Sequence, residues 1–174
     1  MKLRVIFAAT LILITPLLTG CASQMTTQQL YAMKEPVGGP QARLRVMSDA
    51  GVIAIPERDC LDWSAEGSGT VYADTLLGSK GFLGRTLAMP NPPSADLSTM
   101  GEVHIAADKP LTLHYLYSGS YYCSISVSFT PKAEKDYEAT MKYDSKLNTC
   151  YALVSTLGLT REPVQLKRAE RCKN

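Results

Sequence analysis

The chain has little with which to do chemistry. It holds two histidines, His104 and His114, among 174 residues. No GxSxG elbow, P-loop or GxGxxG run occurs, which removes the usual marks of α/β-hydrolases and of nucleotide cradles. No two cysteines stand as CxxC, the spacing used by redox dithiols and many zinc sites. Long hydrophobic runs are missing as well. The longest, Val5 to Leu18, has 14 residues, and a bilayer core of about 30 Å takes a helix of roughly 20. An excess of one charge is also absent. The chain has 18 Lys+Arg and 16 Asp+Glu. Lys2 and Arg4 lie in the N-terminal leader, so the chain beyond residue 20 carries 16 of each sign. A neutral chain argues against general nucleic-acid binding, which needs a basic surface to neutralise phosphates.

The leader is the first positive signal. Lys2 and Arg4 give a positive start, Val5 to Leu18 an apolar centre, and small residues come next. This is the three-part layout of a secretory signal. It closes on Leu18-Thr19-Gly20-Cys21, which resembles the lipobox of bacterial lipoproteins. That resemblance implies cleavage before Cys21, with a diacylglycerol thioether and an N-acyl chain on Cys21. One acyl chain holds a protein only reversibly, at about 0.8 kcal/mol per buried CH₂, and several make the anchoring durable. Ala22-Ser23 after the cysteine, rather than an aspartate, implies sorting to the outer membrane, facing the periplasm. The expected division is a signal peptide over 1–20, a lipidated N-terminus and flexible polar tether over 21–40, and one domain over 41–174.

Four cysteines remain for the domain: Cys60, Cys123, Cys150 and Cys172. An even number in an exported chain points to two disulfides, with three pairings open. The arrangement expected is Cys60–Cys123 with Cys150–Cys172, the second pinning the C-terminal tail to the last apolar strand.

Short alternating segments fill the domain. Leu44 and Val46 face one way, Arg43 and Arg45 the other, and Ser48-Asp49-Ala50-Gly51 leads into Val52–Ile55, which predicts a hairpin. Thr70–Ala73 and Thr86–Met89 are weaker strands, divided by the glycine-rich stretch 78–84. Pro90-Asn91-Pro92-Pro93 is a loop. Val103 and Ile105 alternate, and then Leu111, Leu113, Tyr115 and Tyr117. After Ser118-Gly119-Ser120, Cys123, Ile125, Val127 and Phe129 share a face opposite four hydroxyl residues, a clean period of two. Tyr137, Ala139, Met141 and Tyr143 alternate next, and Cys150–Leu157 is the last apolar run. This pattern predicts an all-β domain, an antiparallel β-sandwich (immunoglobulin-like or transthyretin-like) of about seven to nine strands. A small closed barrel is the alternative.

Candidate functional residues are few. His104 and His114 fall on polar strand faces and come near each other if their strands pair across Pro110. They would then make a metal or acid–base pair, but two exposed histidines are the expected reading, and no third ligand is identifiable from the spacing. Glu57, Asp59 and Asp62 surround Cys60 without the regular alternation of a calcium loop. Trp63 beside a cysteine reads as core packing. Tyr115, Tyr117 and Tyr121 are expected to point inward and Tyr122 outward, where an aromatic at a hairpin tip can anchor a partner. The tail from Arg161 to Asn174 carries a net charge of +3, and Lys167, Arg168 and Arg171 can meet anionic groups. The candidate partner contacts are thus Tyr122, Lys167, Arg168 and Arg171. No catalytic residue, metal ligand or cofactor other than the lipid on Cys21 is expected.

Phe129-Thr130-Pro131 followed by Asp136-Tyr137-Glu138-Ala139, with Cys123 before and Cys150 after, resembles small uncharacterised β-sandwich lipoproteins of proteobacteria over about 42–157. The resemblance implies fold and location and carries no catalytic residues. The function expected is a non-enzymatic binding or structural accessory module, attached to the membrane by lipid and paired with another envelope protein. The alternatives are a periplasmic inhibitor or glycan- or lipid-binding lipoprotein, and a metal-dependent hydrolase.

Overall fold

The alternating segments do become strands, and they stack as two layers. The computed structural model describes residues 30–75, 78–93, 96–119 and 121–173. The leader and Cys21 lie outside these. Ten strands occur among the described residues: β1 Gln41–Ser48, β2 Gly51–Pro56, β3 Gly69–Tyr72, β4 Met100–Ala106, β5 Leu111–Ser118, β6 Tyr122–Phe129, β7 Asp136–Asp144, β8 Thr149–Leu157, β9 Glu162–Pro163 and β10 Lys167–Arg168. One sheet runs β4-β1-β7-β8-β9 and the other β10-β6-β5-β2-β3. All pairs are antiparallel except β1 with β7. The domain is a β-sandwich.

Inward-facing alternate residues of both sheets form the core: Leu44 and Val46, Val52 and Ala54, Val103 and Ile105, Leu113 and Tyr115, Ala139 and Met141. Fully burying a large apolar side chain stabilises by about 1.5–3 kcal/mol. The expected reversal between β5 and β6 forms a hairpin, in register from Leu111↔Phe129 to Ser118↔Tyr122, and β7 and β8 form a second one, from Asp136↔Leu157 to Asp144↔Thr149.

Several expectations need correction. β1 and β2 are not a hairpin: β1 pairs with β4 and β7, and β2 with β3 and β5. The turn between them is an arch from one sheet to the other. Asp49 fixes it by accepting from the Tyr115 hydroxyl at 2.7 Å and the Tyr143 N–H at 3.3 Å. Thr86–Met89 forms no strand; it belongs to a segment laid over the outer face of β1. The count exceeds seven to nine because the tail contributes two strands of two residues each, too short for a periodic signal.

The disulfides are Cys60–Cys172 and Cys123–Cys150, with Cα atoms 5.1 and 6.0 Å apart. The expected Cys60–Cys123 and Cys150–Cys172 pairs do not form. Cys123 is the second residue of β6 and Cys150 the second of β8, so the two meet across the sandwich. The tail passes along β6 to a bridge between Arg171 and Leu61, which sets Cys172 beside Cys60.

Part of the segment expected to be a tether over 21–40 is paired with the body, and residues 21–29 lie outside the described residues. Tyr31–Pro36 is a strap on the body: Met33 N–H donates to the Thr70 carbonyl at 3.0 Å, Thr70 N–H to Tyr31 at 2.8 Å, and Lys34 N–H to Gly67 at 2.9 Å. Met33 is buried. Gly69 makes this possible, since a Cβ there would lie 2.6 Å from the backbone of Ala32 and Met33. The polar composition of the segment hid a backbone pairing that needs no apolar side chain except Met33.

Candidate functional site on the open side of the sandwich

A sandwich is closed on a side when its edge strands are covered. Here the tail covers part of one side. β9 lies on β8 opposite Ser155 and Thr156, and β10 lies on β6 opposite Val127 and Ser128. Between them Val164 and Leu166 pack against the core, plugging the gap between the sheets. Above this plug the tail is absent, and the Cys123–Cys150 bridge closes the gap instead.

The rungs follow from ladder alternation. Val164 N–H donates to the Val154 carbonyl at 2.8 Å, and Ala169 N–H to the Ser126 carbonyl at 3.0 Å. Even-numbered residues of β8 and β6 therefore direct their backbone groups outward. Val154, Thr156, Ser126 and Ser128 face the tail. Cys150 and Ala152 on β8, and Tyr122 and Ser124 on β6, face no strand among the described residues.

An aromatic cluster caps this half. Tyr117 stacks on Tyr143 with centroids 4.6 Å apart, and Tyr121 lies 6.3 Å from Tyr143. Tyr143 donates to Asn148 Oδ1 at 2.7 Å. Tyr121 is exposed rather than inward, because it sits in the turn before β6, where strand alternation has not begun. Tyr115 is inward; burial, and then the Asp49 carboxylate to which it donates, raise its pKa above the usual phenol value. Tyr122, Leu147 and Leu153 are exposed at 76%, 73% and 61%.

The candidate contacts spread along this side rather than forming one patch. Tyr122 is at the hairpin tip, while Lys167 and Arg168 pair beside Ser128 and Val127, five to six residues or roughly 17–20 Å further along β6. Arg171 lies beyond, at Leu61. All four are exposed, and the three cationic heads have no partner among the described residues.

The histidines are not brought together. β4 carries His104 in one sheet and β5 carries His114 in the other. Pro110 lies where the chain crosses between sheets, so no hairpin forms there. His114 is not an exposed histidine either. Its Nδ1 lies 2.8 Å from Ser126 Oγ, and its ring meets Trp63 edge-on at 5.0 Å. Burial lowers its pKa from 6.5 to about 4. Trp63 thus packs on the outside of the sheet, with Leu61, Ala65, Ile53 and Ile55. Around Cys60, Glu57 pairs with Lys109 at 2.6 Å and Asp62 with Arg58 at 3.1 Å, while Asp62 also caps Ser64. No group of three or more His, Cys, Asp or Glu positioned for a metal occurs among the described residues.

Two features escaped sequence reasoning. Arg45, 1% exposed, bonds Glu102 at 2.8 Å, Glu138 at 3.0 Å, and the carbonyls of Met89, Pro90 and Asn91. Arg161 closes on Glu138 at 2.5 Å. A proline-rich loop offers carbonyls but few donors, so arginine on an adjacent polar strand face was the available signal. The second is an open groove of about 470 Å³ under the strap, floored by Met33, Pro56, Ile105 and Leu111, with Lys34 and Glu66 among its charged residues. In its wall Glu35 receives a bidentate pair from Arg85 at 2.9 Å and the His104 N–H at 2.6 Å. Burial works to raise the pKa of Glu35, but these bonds outweigh it and hold the carboxyl below its usual value.

No protein-family model, no curated protein and no solved structure matches this chain.

Proposed function

We propose that this chain is a lipid-anchored cell-envelope protein whose β-sandwich faces the periplasm and acts as a non-enzymatic binding or structural module. The observation that carries this reading is Leu18-Thr19-Gly20-Cys21 at the end of an apolar leader. The pairing of the other four cysteines with one another supports it, because disulfides persist in oxidising compartments. Anchoring falls to the lipid on Cys21, since the chain beyond residue 20 is neutral. The surface offered to a partner is the tail-bordered side with Tyr122, Lys167, Arg168 and Arg171. A photo-crosslinking residue placed at Tyr122 in intact cells should yield one reproducible envelope-protein adduct, weakened by Arg168→Glu with Arg171→Glu. An adduct-free chain would count against the module reading.

The groove under the strap favours a second reading, a lipoprotein that binds a small amphiphile such as a lipid or glycan fragment. Its volume falls within the roughly 300–1,000 Å³ of small-molecule sites. Native mass spectrometry of the full chain extracted in mild detergent should then show a retained small molecule, released by Ile105→Arg. A bare mass would remove this reading.

A further inference from the structure

We infer that the uncovered half of β8 is a strand-addition site for an extended, uncharged segment of a partner polypeptide; this deepens the partner-binding reading above and rests on it. Three observations converge.

The first is the unfilled hydrogen-bonding capacity. The outward N–H groups of Cys150 and Ala152, and the Ala152 carbonyl, face no strand among the described residues, and the Cys150 carbonyl has only a 3.5 Å contact from Thr149 Oγ1. Such a row is satisfied by another extended backbone, which fixes the chemical class of the occupant.

The second is that the chain already shows this mode of binding on the next rungs. β9 adds to the same edge of β8 at Ser155 and Thr156 and stops. A partner strand continues the existing ladder across Thr149–Leu153.

The third is the lack of any guard. Solitary edge strands carry lysine, proline or a bulge to repel a second strand. Thr149-Cys150-Tyr151-Ala152-Leu153 has none of these and no charge. Leu153 stands 61% exposed in mid-strand, where an apolar residue of an added strand can cover it. The absence of charge on the edge selects an uncharged segment. β6 is the poorer edge: its open rungs, Tyr122 and Ser124, adjoin the hairpin tip, and their outward side chains offer a single apolar group.

The test is hydrogen–deuterium exchange of the full chain in detergent micelles, with the acetylated and amidated hexapeptide Thr-Val-Thr-Val-Thr-Val at millimolar concentration as probe. We expect exchange of the outward Cys150 and Ala152 amides to slow by about tenfold. A peptide N-methylated at alternate residues should give no slowing. Ala152→Pro should abolish the effect while leaving the fold intact, because the lost N–H points away from β7. Should Ala152→Pro fail to fold, Leu153→Lys supplies the guard from an exposed position and should abolish it equally. Absence of protection, equal protection by the N-methylated peptide, protection at β6 or the groove instead, or protection that rises with protein concentration alone would each overturn the proposal, the last by assigning the edge to a second copy. The assay reads the β8 edge whether or not Cys21 is lipidated, so a wrong address and a wrong edge fail separately.

Discussion

Two segments cover the outer faces of the two sheets, and they do so by opposite means. Over β2 and β5 lies the stretch 57–66. Leu61, Trp63 and Ala65 rest on Ile53 and Ile55, and the cover is fastened by Cys60–Cys172. Over β1, β4 and β7 lies the stretch 85–91. Arg43 and Arg45 hold it by its carbonyls, and the Leu87 N–H donates to the Glu102 carboxylate. The first cover has apolar surface to bury, so area and a covalent staple suffice. The second buries Met89 but runs into prolines and turns the carbonyls of Leu87, Met89, Pro90 and Asn91 toward the sheet, so these need directed donors. The ionic cover tolerates less change, because removing one charge strands its partners away from water. Its worth over a well-packed apolar substitute is small, which makes geometry rather than net stabilisation the reason it serves.

The largest expected effect comes from the staple. Cys60→Ser with Cys172→Ser should cost about 4–5 kcal/mol in the loop-entropy picture for a loop of this length. Guanidinium unfolding would measure it, and a loss under about 1 kcal/mol would mean that Trp63 and its neighbours hold the apolar cover unaided.

On the other face, Arg45→Met should destabilise by about 3–5 kcal/mol, since Glu102 is left buried without its cation and Glu138 keeps only Arg161. Adding Glu102→Gln and Glu138→Gln to that variant should restore most of the loss. If the single change proves mild, Arg45 is not what holds the ionic cover.

The apolar cover has a titratable weakness in the histidine beneath it. His114 has a folded pKa of about 4 against 6.5, so the unfolded chain binds the additional proton between these values. Stability from the neutral ring is complete above about pH 6.5 and is lost as pH falls toward 4, by as much as about 3 kcal/mol. Denaturant midpoints at pH 7 and pH 4.5 would show it, and His114→Gln should flatten that slope. Glu35 acts lower: its depressed pKa contributes stability above the ordinary carboxyl value and loses it only as pH falls through the folded value. An unchanged slope in His114→Gln would place the pH sensitivity elsewhere.

The smallest effect expected is from Trp63→Ala, about 2 kcal/mol, below the range for a fully buried tryptophan because this ring is only half-buried. That cost should be insensitive to salt. Equal salt dependence for Trp63→Ala and Arg45→Met would erase the distinction between the covers.

The sandwich was readable because period two survives wherever one face meets the core, as in Cys123 to Phe129. The features that distinguish this sandwich were not. Arg45 reads as a solvated strand face until the loop 85–91 is known to lie on it. Cysteine pairing depends on which strands face each other, and a hairpin assumed between β1 and β2 misplaces every later strand. The open rungs of β8 leave no mark on side-chain pattern, because they are backbone groups. The strap 31–36 was hidden for the same reason. Tyr122, Lys167, Arg168 and Arg171 were singled out by position at a hairpin tip and by charge alone, and sequence could not tell that they spread out instead of converging.

The proposed membrane attachment of the sandwich rests on one residue, Cys21, so the most direct measurement is the mass of the mature N-terminal peptide from native cells. The expected result is a peptide beginning at Cys21 and carrying a diacylglycerol with an N-acyl chain, and a Cys21→Ser chain released from the membrane fraction. An unmodified Cys21, or a mature chain that begins elsewhere, would contradict the lipid-anchored reading.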